Sequence, residues 1–191
     1  MKTSFYAEKE LTKIGFLKFG KNTLISKKAS IYSPEKISLG KNVRIDDFCI
    51  LSGNIHIGDY IHIAPYSGLF AGDYGIVLED FVNISSRVSI YAISDDFSGE
   101  SLTNPMICNK YKEMIEGRVI LKRHVIIGSG AVILPNLEIG TGSAVGALSL
   151  VNTSLPDWGI YAGIPVKKIR TRSKRLKKLE KEFLKEEKDV T

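Results

Sequence analysis

The chain has 191 residues, 43% of them hydrophobic, and a formal net charge of +6, a balance that predicts one globular domain with short appendages. No window is apolar for long enough to cross a bilayer as a helix, and Met1–Ser4 opens onto a polar stretch without the apolar run of a signal peptide. The two cysteines, Cys49 and Cys108, stand far apart with no CxxC partner; no disulfide framework is expected, and a reducing, cytoplasmic setting is.

In chain order, residues 4–20 predict a short helix from about Tyr6 to Ile14, closed by Gly15 and Phe16, that caps whatever follows. Residues 21–36 hold an imperfect first coil carrying Ile25 and Ile31, with a turn at Pro34. From Ile37 to Val151 an aliphatic residue then returns every sixth position. The series is Leu39, Ile45, Leu51, Ile57, Ile63 and Leu69; after a three-residue slip, Leu78, Ile84 and Ile90; after a long break, Leu121, Ile127, Ile133, Ile139, Val145 and Val151. A companion series two residues earlier is apolar or small throughout, from Ile37 and Val43 to Ser143 and Ser149.

Neither a helical period of 3.6 nor a strand period of two produces this pattern. A fixed period of six is the signature of a hexapeptide β-solenoid. Each hexapeptide supplies a short strand with two inward side chains, and three close one triangular coil. Five coils at about 4.8 Å spacing predict a prism roughly 24 Å tall. Corner segments such as Gly40-Lys41-Asn42 and Gly58-Asp59-Tyr60 carry turn chemistry.

Two breaks interrupt the repeat. Residues 70–75, Phe-Ala-Gly-Asp-Tyr-Gly, form a Gly-rich bulge, and residues 91–118 contain no hexapeptide at all. A loop this long inside a compact repeat is usually a functional segment or a disordered one, and insertions in a solenoid tend to line the binding face. Its Phe97, Pro105 and Tyr111 suit it to packing on a neighbouring surface. The division expected is an N-terminal cap at 1–20, a β-helix at 21–155 with the inserted loop 91–118, and a C-terminal segment at 156–191 ending in a basic helix from about Thr171 to Lys188. Leu176, Leu179 and Phe183 give that helix one narrow apolar stripe. Eight of the twelve residues from Lys167 to Lys178 are Lys or Arg. No aromatic residue is interleaved among them, so no nucleic-acid partner is expected and attraction of a phosphorylated small ligand is.

The repeat, the segment His124–Pro135, the triplets Val145-Gly146-Ala147 and Ser149-Leu150-Val151, and the run Ala162-Gly163-Ile164-Pro165-Val166-Lys167 resemble the left-handed β-helix hexapeptide-repeat acyltransferases. The nearest subgroup is the sugar O-acetyltransferases related to maltose and galactoside acetyltransferases. The resemblance covers residues 21–170 and implies an all-β solenoid, a left-handed parallel β-helix. It further implies a homotrimer with acetyl-CoA as acyl donor, lying in the groove between two prisms. Carried over position by position, it places Ser129, Gly130, Gly146 and Ala147 along the pantetheine and Lys167 and Lys168 near a phosphate of CoA.

Acyl transfer to a hydroxyl needs a base for its proton and donors for the developing oxyanion. Many relatives place a histidine at the start of the long loop, where this chain reads Tyr91-Ala92-Ile93-Ser94-Asp95-Asp96-Phe97. Three substitutes are open. His62 points outward between Ile61 and Ile63, with Asn83 one coil above it as a holder of acceptor or oxyanion. Asp95 is a candidate base, with Asp96 and Tyr91 binding sugar. An amine acceptor arriving neutral would need little base at all.

The function expected is therefore acetyl-CoA-dependent O-acetylation of a sugar or nucleotide sugar in surface polysaccharide biosynthesis. The alternatives are N-acetylation of a nucleotide-linked amino sugar and a non-catalytic scaffold. A metal lyase of the γ-carbonic anhydrase kind is least favoured, because His56 and His62 fall on different faces and His124 in a corner, so no metal is expected. A covalent acyl-enzyme is not expected, since neither cysteine has an activating partner.

Overall fold

The computed structural model describes residues 4–190. The hexapeptides coil into about seven turns of a parallel β-solenoid with three flat faces. Face 1 stacks Leu24–Ile25, Val43–Ile45, Ile61–Ile63, Asn83–Ile84, Ile126–Ile127, Ala144–Val145 and Gly159–Ala162, all parallel. Face 2 stacks Ser30–Tyr32, the first half of Ile50–Ile57, the first half of Gly68–Leu78, then Ser89–Tyr91, Val132–Ile133 and Leu150–Val151. Face 3 takes Ile37–Leu39, the second halves of those two long strands, Val119–Leu121 and Leu137–Ile139.

Every residue of the six-residue series is buried, none more than 3% exposed, and no member of the companion series exceeds 9%. Burying each such aliphatic side chain contributes about 1.5–3 kcal/mol before chain entropy is set against it. Cys49 fills a companion position, where burial pushes its thiol up to about 11; it is a core residue and an inert one. Register along the columns is strict: His62 pairs with Asn83, Asn83 with Ile126, and Ile126 with Ala144.

The corners differ from one another. Between faces 3 and 1 the left-handed residue is Asn22, Asn42, Tyr60, Phe81, His124, Gly142 and Trp158 in successive coils. That conformation is uncommon for side-chain-bearing residues, and here it is offset by stacking between coils. Tyr60 lies on Phe81 at 4.8 Å between ring centroids, and Phe81 on His124 at 5.0 Å. Between faces 1 and 2 the matching ladder is Phe48, Tyr66, Arg87, Gly130 and Leu148.

At the N-terminal end α1, Glu8–Ile14, buries Leu11 against the first coil and ends at Gly15 with φ 88°. It starts two residues later than Tyr6, because the Glu10 carboxylate accepts the Ala7 amide and sets the cap there. The three-residue slip is absorbed without leaving the sheet: Ile50–Ile57 and Gly68–Leu78 run continuously around the corner between faces 2 and 3, with a register shift at Gly53 and Gly72. Two expectations are corrected. The coils outnumber the five counted from the hexapeptides: the imperfect first coil expected at residues 21–36 stacks beneath them, and residues 155–162 add a further turn that the repeat did not mark. The C-terminal helix, α2, spans Leu176–Val190 and does not begin at Thr171. Lys167–Thr171 instead forms a strand that pairs antiparallel with Gly159–Ala162 and ends the face-1 sheet.

Candidate active site

Face 1 carries the first cluster. His62 and Asn83 sit directly above one another on its outer surface, as the repeat phase requires. A residue the repeat does not point to completes the group: Asp46, at the corner just past Val43–Ile45. Its Oδ2 lies 2.8 Å from His62 Nε2, while Oδ1 accepts Arg44 Nε at 2.7 Å. Asp46 is 8% exposed, whereas the His62 side chain is 41% exposed. A buried carboxylate on Nε2 selects the tautomer that leaves Nδ1 as the free base. Asp46 stands sixteen residues before His62, two short of the eighteen that stack one coil on the next, so the period alone does not pair them.

The second cluster belongs to the long insertion, which leaves the corner between faces 2 and 3 in the fourth coil. It is not irregular at its root. Ile93–Asp95 pairs antiparallel with Met114–Glu116, so the insertion emerges as a two-stranded arm. Tyr91 stacks on Phe70 at 5.0 Å and walls this corner. Asp96, expected to bind sugar, has its carboxylate taken up by the loop: it accepts the Ser98 amide and hydroxyl, both at 2.8 Å, and the Ser101 amide at 3.2 Å. Those bonds, the Ser98 amide first, hold its carboxyl below the usual range. Asp96 braces the loop. The neighbouring Asp95 is half-buried, and no described residue offers its carboxylate a hydrogen bond or an ion pair.

The third cluster is the row of small residues at the corner between faces 1 and 2. Ser129-Gly130 and Gly146-Ala147 occupy successive coils. A side chain on Gly128 would stand 2.5 Å from the Ala147 nitrogen, and one on Gly146 2.9 Å from the Ala162 Cβ. These glycines are thus required by coil stacking as well as by any thin ligand. Gly130 takes φ +72°, a turn role. Ala162 pairs with Lys167, and Tyr161 with Lys168, so both lysines stand at the top of this row, fully outside.

The helix α2 descends along the corner between faces 3 and 1. Phe183 meets Tyr60 edge-on at 5.3 Å, Tyr60 donates to Glu187, and Glu180 accepts from Arg123 and lies 2.7 Å from His124 Nε2. Burial pushes the Glu180 carboxyl up, but Arg123 and His124 outweigh it and hold it below its usual range. Between the helix and face 1 lies a cleft of about 310 Å³, walled by Phe81, Val125, Ile126, Leu179 and Phe183, with Asn83 at its edge. Arg172 closes one end. Its Nη1 donates to the carbonyls of His124, Gly142 and Ser143 at 2.9, 3.0 and 3.3 Å, and burial pulls its guanidinium down from the ordinary value.

The histidines are thus dispersed. His56 faces out from face 3 with its Nδ1 2.6 Å from Ser38 Oγ, His62 lies on face 1, and His124 is bound to Glu180. Among the described residues no group of three or more His, Cys, Asp and Glu could hold a metal, and no helix is long and apolar enough to cross a membrane.

No protein-family model matches the chain. Along almost its whole length, however, it is 44% identical to dTDP-4-amino-4,6-dideoxy-D-glucose acyltransferase from Escherichia coli, over 183 residues that cover 94% of this chain and 95% of the relative. The chain belongs to the hexapeptide-repeat sugar acyltransferases. Among solved structures, this acyltransferase superposes on AntD, an N-acyltransferase from Bacillus cereus in complex with dTDP and 3-hydroxybutyryl-CoA. The TM-score is 0.97 at 58% identity, covering 98% of this chain and all of the other. A variant of AntD holding dTDP-4-amino-4,6-dideoxyglucose and coenzyme A matches with a TM-score of 0.96. A more distant relative, at 27% identity over 80% of the acyltransferase, is the putative lipopolysaccharide biosynthesis O-acetyl transferase WbbJ from E. coli K12.

Proposed function

We propose that the enzyme transfers an acyl group from acyl-CoA to the amine of a dTDP-linked amino sugar of the 4-amino-4,6-dideoxyglucose type. What carries this reading is that a 58%-identical relative is named an N-acyltransferase and a 44%-identical one an acyltransferase of a dTDP-linked 4-amino sugar, each covered nearly end to end. It replaces the hydroxyl acceptor expected from sequence as the first choice.

The side chains suit an amine. A sugar amine at neutral pH is largely an ammonium ion, and the unpartnered Asp95 carboxylate is a fitting counter-ion and proton acceptor for it. Once neutral, the nitrogen attacks the thioester carbonyl. Backbone N–H groups hold the oxyanion, and collapse of the tetrahedral intermediate breaks the C–S bond; the CoA thiolate leaves and takes up the proton. Asn83 and the His62–Asp46 pair are assigned to holding the acceptor on face 1, with Tyr91 at the wall of the loop corner. Ser129, Gly130, Gly146 and Ala147 are assigned to the pantetheine, and Lys167 and Lys168 to a CoA phosphate. A homotrimer working in the cytoplasm, where acyl-CoA and nucleotide sugars are made, completes the proposal.

One observation favours the hydroxyl reading as second: an Asp–His pair with a free Nδ1 is the device by which a poorly acidic hydroxyl is activated. The two separate in one assay. The enzyme is supplied with acetyl-CoA or 3-hydroxybutyryl-CoA and either dTDP-4-amino-4,6-dideoxyglucose or its 4-hydroxy counterpart, with thiol release and product mass recorded. Amide product from the amino sugar alone is expected. Ester from the hydroxy sugar, with no amide, would overturn the proposal, and no thiol release from any pair would leave only the scaffold.

A further inference from the structure

The C-terminal end of the prism carries positive charge that the chain itself does not answer. Of residues 167–178, eight are Lys or Arg and none is Asp or Glu. Lys167 and Lys168 are assigned above to a phosphate of CoA. Arg170, Lys174, Arg175 and Lys177 are not, yet all four are exposed, and among the described residues none has a carboxylate partner. The acids of the last coils are engaged elsewhere: Glu138 with Lys122 at 2.6 Å, Asp157 with the Thr141 amide at 2.7 Å, and Glu180 with Arg123 and His124. We infer that this end of the molecule docks on an anionic phospholipid bilayer, with Arg170, Lys174, Arg175 and Lys177 on headgroup phosphates and Ile164 and Ile169 entering the interface.

Three observations carry this beyond charge alone. First, the cations are gathered at one end. Lys167–Thr171 is the last strand of face 1, paired on one side with Gly159–Ala162, and all five of its residues are exposed. Lys174 and Lys177 sit over the ring of Trp158, a corner residue of the last coil, at 5.9 and 5.3 Å from its centroid. Second, apolar side chains stand in water among them. Tyr161 pairs with Lys168 and Ile160 with Arg170, so Ile169 is the extra residue of a bulge, and it is 62% exposed. Ile164, in the connection between the two strands, is 75% exposed. A soluble phosphate needs only the charges; a bilayer offers phosphates with an apolar layer beneath them, which suits cations and isoleucines together. Third, the surface lacks what a nucleic acid would use. Trp158 is 6% exposed beneath its two lysines and Tyr161 is 3% exposed, so neither ring is free to stack on a base. In the proposed homotrimer a rotation axis parallel to the prisms would set three such ends on one side, so that they bind together. That addition rests on the proposed function; the surface belongs to each chain.

The test is co-sedimentation of the full chain with vesicles of phosphatidylcholine, either pure or containing about a third phosphatidylglycerol, at low and at high salt. Binding to the anionic vesicles alone, lost at high salt and retained with saturating CoA, is expected. Reversing three charges together, Arg170→Glu, Lys174→Glu and Arg175→Glu, should weaken vesicle binding by at least about a hundredfold. The thermal midpoint and the kinetic constants with soluble substrates should stay as they are, since none of the three is assigned to donor or acceptor. Ile169→Ser, which leaves every charge in place, should weaken binding severalfold without changing its dependence on salt. Absence of binding, equal binding to neutral vesicles, or loss of binding when CoA is added would each overturn the inference, the last by returning the whole cluster to the donor site. Displacement of the vesicles by duplex DNA, with Ile169→Ser without effect, would overturn it in favour of a nucleic acid. None of these outcomes bears on acyl transfer, which the thiol-release assay reads separately.

Discussion

The interior of the prism and the insertion that leaves it obey opposite rules. Inside, each position is filled by the same few residue types because every coil repeats the one below. Nothing there is individually chemical, and Cys49 is as inert as the isoleucines around it. In residues 92–118 no position repeats. Some polar side chains are spent on the loop's own backbone, as with Asp96, some on the prism, as with Arg118 on the Tyr74 carbonyl, and Asp95 on neither. The comparison teaches that periodicity marks where stability resides, and it is to the break in it that the proposed function assigns the chemistry.

That contrast is open to attack in order of expected effect. Ile127→Ala, in the wall of the fifth coil, should lower stability by about 2–5 kcal/mol and visibly lower the thermal midpoint, while the catalytic constant of the folded fraction is retained. Asp95→Asn should do the reverse: turnover falling roughly a hundredfold, worth about 2.7 kcal/mol in the transition state, with the midpoint unchanged. If instead it melts early and turns over normally, the loop is structural and the contrast collapses.

A smaller effect tests the boundary between the two regions, where α2 meets the corner ladder. Because the Glu180 carboxyl is held below its unfolded value, it adds stability that is fully present above the unfolded carboxylate range and is lost as pH falls through the lowered folded value. Protection of the α2 amides, taken relative to their intrinsic exchange rates, should therefore fall in acid, below the ordinary carboxylate range, ahead of protection in the prism. Glu180→Gln should flatten that acid limb; an α2 and a prism that open together in both proteins would refute it. The smallest effect is at Gly15. A Cβ there meets nothing within 4 Å, but φ is +88°, so Gly15→Ala should cost only about 1 kcal/mol, read from a denaturant midpoint, with activity intact.

The inward half of this protein was legible in the sequence. The six-residue period named fifteen buried positions and their companions two residues earlier, the outward pairing of His62 with Asn83, the separation of His56 from them, and the place of the insertion, because a stacked strand has only two faces and the phase assigns each residue to one. Even so, the C-terminal end blurred: its basic run carries no period that separates strand from helix, so the helix expected from about Thr171 begins only at Leu176, after the strand Lys167–Thr171. What the tertiary structure alone decided is which outward residues meet. Asp46 reaches His62 from a neighbouring coil and a corner, Glu180 reaches His124 across 56 residues, and Asp96 turns back on its own loop. None of these contacts is periodic. They depend on side-chain reach around corners and between layers, where the local pattern sets no constraint and only the closed coil brings the partners to hydrogen-bonding distance.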